Sequence, residues 1–206
     1  MKRIYTLVTA LVAVLLTGCA SNVVKQDLSA FEAAKPRSIL VVPATNKSVD
    51  VDAPAYLLTT LTVPLAEKGF YVFPIHTAKT VLEQEGLYEG EQIHNQPPAH
   101  LAQMFGADAV LYVTINQWDA KYVVLSTTVT VDFDYRLVSK DGTELWKANK
   151  RMQYSPQSQG GLVGAMISAA VARAMPNYMP LTQMANNDVF ILGPTAIPNG
   201  PYRTLQ

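Results

Sequence analysis

From Thr128 to Leu137 the sequence alternates without a fault. Val129, Val131, Phe133, Tyr135 and Leu137 fall on one side, and Thr128, Thr130, Asp132, Asp134 and Arg136 on the other. A helix cannot sort these residues, because its period is 3.6, whereas a strand points successive side chains to opposite faces. The pattern predicts an antiparallel strand with one buried and one solvated face. Lys140-Asp141-Gly142 then reads as a hairpin turn. The return strand places Trp146, Ala148, Met152 and Tyr154 on one face. Ahead of this pair, Ala109 to Trp118 reads as a continuous apolar strand, with Trp118-Asp119-Ala120-Lys121 expected to turn it.

The first half of the chain has another rhythm. Ser38-Ile39-Leu40-Val41-Val42-Pro43 predicts a short strand buried on both faces, and Ala44 to Val51 a polar loop. Asp52 and Pro54 are helix-start residues. Leu58, Leu61 and Leu65 recur at helical spacing, Pro64 is expected to interrupt the helix, and Lys68-Gly69 to end it. Phe70-Tyr71-Val72-Phe73-Pro74 predicts a second strand. A helix through Thr80, Val81, Leu82 and Glu85 stops at Gly86, Tyr88 to Gln96 reads as polar loop, and Pro97-Pro98 open a short helix ended by Gly106. Strand–helix–strand units of this length cross over right-handed between parallel strands. After the hairpin, Ser155 to Gly161 reads as a flexible loop. Leu162 to Met175 reads as an apolar, small-residue helix and Asn177 to Met184 as a shorter one. The predicted fold class is α/β (α+β): a mixed sheet whose parallel strand–helix–strand half leads into an antiparallel β-meander, with C-terminal helices packed on the sheet.

The amino terminus has the three-part layout of a secretory signal: Lys2-Arg3, then an apolar run from Ile4, then small residues. The run is shorter than the roughly 20 residues that cross a bilayer as a helix. It ends in Leu16, Thr17, Gly18 and Cys19, the single cysteine of the chain. Those four residues resemble the lipobox of bacterial lipoproteins. The resemblance implies that Leu16, Thr17 and Gly18 guide processing and that the Cys19 thiol takes a diacylglycerol as a thioether. Ala20-Ser21 after it, with no aspartate, imply transfer to the outer membrane. The expected organisation is a signal peptide over residues 1–18, an acylated tether over 19–35, one α/β domain over 36–192 and an irregular Pro/Gly-rich tail over 193–206.

Charge narrows the partners. Sixteen Lys and Arg less two in the signal leave 14 against 16 Asp and Glu, a mature formal charge of −2. That balance carries no footprint for nucleic acid and no polybasic membrane patch, so membrane attachment falls to the acyl chains. With Cys19 acylated, no thiol remains for a disulfide.

Gly106-Ala107-Asp108-Ala109-Val110-Leu111-Tyr112-Val113 resembles the TolB N-terminal domain and the periplasmic domain of the curli-secretion lipoprotein family. Together with Leu65-Ala66-Glu67-Lys68-Gly69-Phe70-Tyr71-Val72-Phe73-Pro74, the lipobox and the hairpin, it makes residues 36–187 similar to a family of Gram-negative outer-membrane lipoproteins of unknown function. The resemblance implies an auxiliary role in trans-envelope export. Its motifs are scaffold motifs, specific for fold and weak for activity.

No candidate for chemistry stands out. His94 and His100 lie six apart across Pro97-Pro98, which is no metal-ligand spacing, and with His76 they read as surface loop residues. Asp132 and Asp134 share a strand face about 7 Å apart and could flank a glycosidic bond, yet Thr128, Thr130 and Arg136 beside them favour a solvated face. Gly160-Gly161-Leu162-Val163-Gly164 matches no phosphate-loop pattern, and no Gly-x-Ser-x-Gly elbow occurs. Neither an enzyme nor a cofactor is expected. The helix lined by Gly161, Leu162, Gly164, Ala165, Ser168, Ala169 and Ala172 reads either as core or as an interface, with self-association expected. The expected function is a lipid-anchored, non-catalytic docking component of an envelope export or transport assembly. The alternative is a periplasmic solute- or glycan-binding lipoprotein.

Overall fold

The computed structural model describes residues 26–123, 126–155 and 178–203. Within them β1 (Ser38–Val41), β2 (Thr45–Asn46), β3 (Tyr71–Val72), β4 (Ala109–Val123), β5 (Ser126–Ser139) and β6 (Glu144–Tyr154) form one sheet. Its order is β3-β1-β4-β5-β6, with β2 lying beside β4 beyond the end of β1. β1 runs parallel to β3 and β4, and β4, β5 and β6 are antiparallel neighbours. The parallel half therefore leads into an antiparallel meander, as the alternation and the crossover lengths predict.

Both faces of the sheet are used. Ile39, Val41, Leu111, Val113 and the whole predicted inner row Val129, Val131, Phe133, Tyr135 and Leu137 form one core with Leu57, Leu61 and Leu65. Those leucines come from α2 (Ala53–Thr59), from the bend after it and from α3 (Thr62–Glu67). On the opposite face Leu40, Val42, Val110, Tyr112 and Val138 pack against Ala78, Leu82, Ile93 and Leu101. These belong to α4 (Ile75–Gln84), α5 (Gly90–His94) and α6 (Pro98–Phe105). Helix α7 (Met179–Asn187), continued by a π-helical turn over Asp188–Leu192, returns to the first face, where Leu181, Ala185 and Phe190 are buried.

Several local expectations change in the fold. Trp118-Asp119-Ala120-Lys121 is no turn: β4 continues, pairing Trp118 with Val131 and Lys121 with Thr128. A bulge between Ile115 and Gln117 inserts one residue and so returns Trp118 to the face of Ile115. There the indole lies 4.9 Å from the Tyr178 ring, and its burial outweighs the local turn signal. The break in the Asp52–Lys68 helix falls at Thr60-Leu61, not at Pro64. Pro64 is the third residue of α3, where a backbone N–H has no helical partner to lose. The loop expected over Tyr88–Gln96 holds α5, begun by the Gln92 side chain accepting from the Glu89 N–H at 3.3 Å.

Inside the stretch read as a tether, Ser29–Ala34 forms α1, whose buried Phe31 meets Phe70 edge-on at 6.2 Å. In the amide orientation that satisfies both partners, the Gln26 side chain accepts from the Lys147 N–H at 2.9 Å and donates to the Lys147 carbonyl at 3.0 Å. This segment thus covers part of the exposed β6 edge. The tail is irregular in backbone but fastened. The Gly200 N–H reaches the Lys68 carbonyl at 2.7 Å, and the Tyr202 N–H the Gly69 carbonyl at 3.0 Å. Gly69 has φ +87°, and a Cβ there would stand 2.1 Å from the Arg203 nitrogen.

Asp108 explains its place in the Gly-Ala-Asp phrase. Its carboxylate accepts from the Arg37 and Ser38 N–H groups at 2.9 and 3.3 Å, while the Ser38 hydroxyl accepts from the Asp108 N–H at 3.0 Å. Partial burial pushes this carboxyl up, but the two N–H bonds and the Arg37 charge outweigh it and hold it below the usual carboxylate range. The motif pins the start of β1 to the start of β4.

Candidate functional site

The connection leaving β1 packs on one face of the sheet and the connection leaving β3 on the other. Between the carboxyl ends of two such strands the chain parts and leaves a crevice, where open α/β sheets place their ligands. A groove of about 660 Å³ lies there, lined by residues after β1, along α2, at the start of α4 and around the start of α5. Pro43, Ala44, Pro54, Ala55, Leu58 and Ile75 supply its apolar lining. Gly90 lets α5 close one side, because a Cβ there would sit 2.3 Å from the Ala44 carbonyl oxygen.

The groove's outer wall is the segment after β2, and it is held by its own polar groups. Asn46 accepts from the Ser48 N–H at 3.0 Å and hydroxyl at 2.8 Å, and donates to the Asp50 carbonyl at 2.7 Å. The Lys47 N–H bonds the Ile115 carbonyl at 2.9 Å. This stiff turn holds Val49 and Val51 at 95% and 86% exposure, and Tyr88 across the groove is 64% exposed. Val51 and Tyr88 adjoin the groove's apolar lining, and exposed apolar surface marks interaction sites where it is contiguous.

His94 braces α5 from beneath. Its Nε2 lies 3.0 Å from the Pro43 carbonyl, an acceptor, so that nitrogen must carry the proton. The ring also meets Tyr112 edge-on at 5.0 Å. It is therefore packed, not the loop surface residue its sequence context implies, whereas His76 and His100 are exposed. Burial pushes the His94 ring down to about 4, and the nearby Arg136 charge adds to the effect against the Pro43 bond. With a folded value below the unfolded ~6.5, its contribution to stability is full above that value and is lost as pH falls toward 4. His94→Gln should flatten this acid limb in urea melts taken between pH 7 and 4.5. An unchanged limb would show that other groups carry it.

Asp132 and Asp134 are tied into the surface of the sheet. One Asn149 amide donates to both, at 3.0 and 2.8 Å, and Asn116 donates to Asp134 at 2.6 Å. Arg151 approaches Asp132 at 3.9 Å. These contacts tie both carboxylates to neighbouring polar side chains on the solvated face of the sheet. Among the described residues no group of three or more His, Cys, Asp or Glu could hold a metal ion. No helix among them is long and apolar enough to cross a membrane.

Leu16, Thr17, Gly18 and Cys19 lie outside the described residues, as do Gly161, Leu162, Gly164, Ala165, Ser168, Ala169 and Ala172. The groove itself was not foreseen. Two apolar residues, Val49 and Val51, inside an otherwise polar loop, and the Glu89-x-x-Gln92 spacing of a capping box, were the signals that could have found it.

Comparison with known proteins gives a consistent picture. A family model described as "Putative lipoprotein GNA1162-like" matches residues 26–189. A lipoprotein relative from Neisseria meningitidis serogroup B is 41% identical over 147 residues, 70% of this chain and 68% of the relative. The crystal structure of lipoprotein GNA1162 from Neisseria meningitidis is 35% identical and covers 68% of this chain and 97% of its own, with a TM-score of 0.59.

Proposed function

This chain belongs to the GNA1162-like lipoprotein family, and from that premise we propose that it is a non-catalytic docking component of an envelope export or transport assembly. On this reading acyl chains on Cys19 hold it to the outer membrane. The observation that carries the docking role is the open groove with Val51 and Tyr88 exposed on its two sides. A site built for a small solute encloses it and aims a few polar groups inward. Here the apolar lining opens to water, which suits a macromolecular segment better and disfavours the solute- or glycan-binding alternative. The small-residue run Gly161, Leu162, Gly164, Ala165, Ser168, Ala169 and Ala172 enters the proposal on sequence grounds as a second, self-contact surface.

The anchor and the surface are tested together in cells. Cys19→Ala should abolish incorporation of labelled fatty acid and release the protein from the membrane fraction, since the thiol is the one acyl acceptor of the lipobox. A photoreactive residue replacing Tyr88 should crosslink the lipidated protein to another envelope protein. Ala169→Glu should lower the sedimenting mass without altering the fold, because an interface centre disfavours a charge. Label retained on the alanine variant, or no crosslink from position 88, would remove the corresponding half of the proposal.

A further inference from the structure

The charge around the groove is uneven in a way that its apolar lining does not require. Asp50 and Asp52 flank Val51, Glu89 follows Tyr88, and Glu91 lines the same side. Among the described residues none of these four carboxylates has a cation within 4.0 Å, while the ion pairs of the molecule form elsewhere. The nearby cations are committed. Lys79 lines the groove but pairs with Glu83 at 3.7 Å, and Lys47 turns its amine to the Asn116 side chain at 3.1 Å. The four carboxylates do not gather around one point, as no three of them could hold a metal ion. They are spread along the rim, each next to an exposed apolar side chain or to the apolar lining.

An apolar trough with an acidic rim selects its occupant by two separate terms. Apolar side chains gain from leaving water in the trough, at about 25 cal/mol per Å². Cations gain from the rim, and that term steers encounter and rejects acidic rivals. An anionic membrane surface would be repelled by such a rim. Residue 26 lies against β6 at one edge of the sheet, and the groove lies at the β1 and β3 edge.

We infer that the groove takes an extended segment of a partner envelope protein in which apolar residues are interspersed with lysine or arginine. This deepens the docking role proposed above and rests on it. An extended segment fits because the trough runs between a turn and two helix starts, and a segment with proline would come already extended.

The probe is a fluorescent peptide of three Val-Lys-Pro repeats, titrated by anisotropy against the full-length protein in a neutral detergent, with three Val-Glu-Pro repeats as its counterpart. The lysine peptide should bind and the glutamate peptide should not. Asp52→Lys combined with Glu91→Lys, which spares the Glu89 capping box of α5, should weaken binding about tenfold, the loss expected when two near charges are reversed. Raising salt from low values to about 0.3 M should weaken binding of the unaltered protein and spare the reversed variant, since exposed charges are screened within a Debye length. Val51→Ser, at an exposed position that leaves folding intact, should weaken binding without changing its salt dependence. Equal binding of the two peptides, undiminished binding by the reversed variant, or no binding of the lysine peptide would each overturn the inference. If it fails while the crosslink from position 88 to another envelope protein persists, the docking role stands and only the chemistry of the segment is wrong. A crosslink formed solely to a second copy of this chain would overturn the choice of occupant.

Discussion

Replacing Trp146 with alanine is expected to lower the unfolding free energy by about 3–5 kcal/mol, the range for removing a large buried aromatic. Trp146 is 1% exposed and sits where three parts of the chain meet. Its ring lies 5.8 Å from Phe190 of the π-helical turn and 6.5 Å from Tyr135 of β5. Its Nε1–H donates to the Thr195 carbonyl at 3.0 Å, tying the tail to the meander. Truncation empties a space bounded by rigid strands, so the walls can collapse only in part, and it leaves the Thr195 carbonyl without its donor. Urea unfolding followed by far-UV circular dichroism measures the effect as a fall in midpoint with an unchanged slope. Lys147→Ala, one position along on the solvated side, should stay within about 0.5 kcal/mol. A Trp146→Ala loss below about 1 kcal/mol would mean that β6 and the tail are not held through this ring.

Asn186→Leu should be nearly as costly, at roughly 2–4 kcal/mol, because it breaks a buried relay at its centre. The Tyr135 hydroxyl donates to the Asn186 side-chain oxygen at 2.6 Å, and Asn186 donates to the Thr60 hydroxyl at 2.6 Å. Thr60 in turn donates to the Leu57 carbonyl at 2.6 Å. The relay joins β5, α7 and the end of α2 through groups almost wholly removed from water. Leucine fills the volume but leaves the Tyr135 hydroxyl with no acceptor. Adding Tyr135→Phe to Asn186→Leu should therefore recover about 1–2 kcal/mol, since removing both polar partners costs less than orphaning one. A double-mutant cycle reads this coupling directly. Strictly additive losses would show that the hydroxyl finds another partner.

The same relay has an alkaline signature. Burial, helped by the Asp132 charge, pushes the Tyr135 hydroxyl well above the usual tyrosine range. A group with its folded value above its unfolded one contributes stability that is full below the unfolded value, near 10. That stability drains away as pH rises through the folded value. In Tyr135→Phe this part of the alkaline loss should vanish.

The inner row Val129, Val131, Phe133, Tyr135 and Leu137 was legible residue by residue, because strand alternation is a local rule that needs no partner to be read. The Gly142 turn, with the Gly142 N–H bonded to the Ser139 carbonyl at 2.9 Å, was legible for the same reason, and so was the parallel crossover of the first half. The lipobox resemblance at Cys19 also rests on a contiguous pattern, and it lies outside the described residues. Local signals failed where distant contacts outbid them. Trp118 and Lys121 carry turn chemistry, yet they extend β4 because β5 offers a ladder and Tyr178 a ring to bury against. His94 looks like a loop histidine until Pro43, 51 positions away, supplies its acceptor.

The groove belongs wholly to the second kind. Pro43, Leu58, Ile75 and Gly90 are far apart in sequence, and the local signals at Val49, Val51 and Glu89-x-x-Gln92 do not say that these segments share a surface. The amino-acid order alone determined which residues alternate, where glycine ends an element, and where the single thiol follows small residues. Only the packed sheet decided that one crossover goes above and the next below, and a crevice exists because the chain parts at that switch. Side-chain period and backbone dihedrals are properties of neighbours along the chain. A cleft is a property of which elements share a face, and that choice is made by burying apolar area between segments the sequence keeps apart.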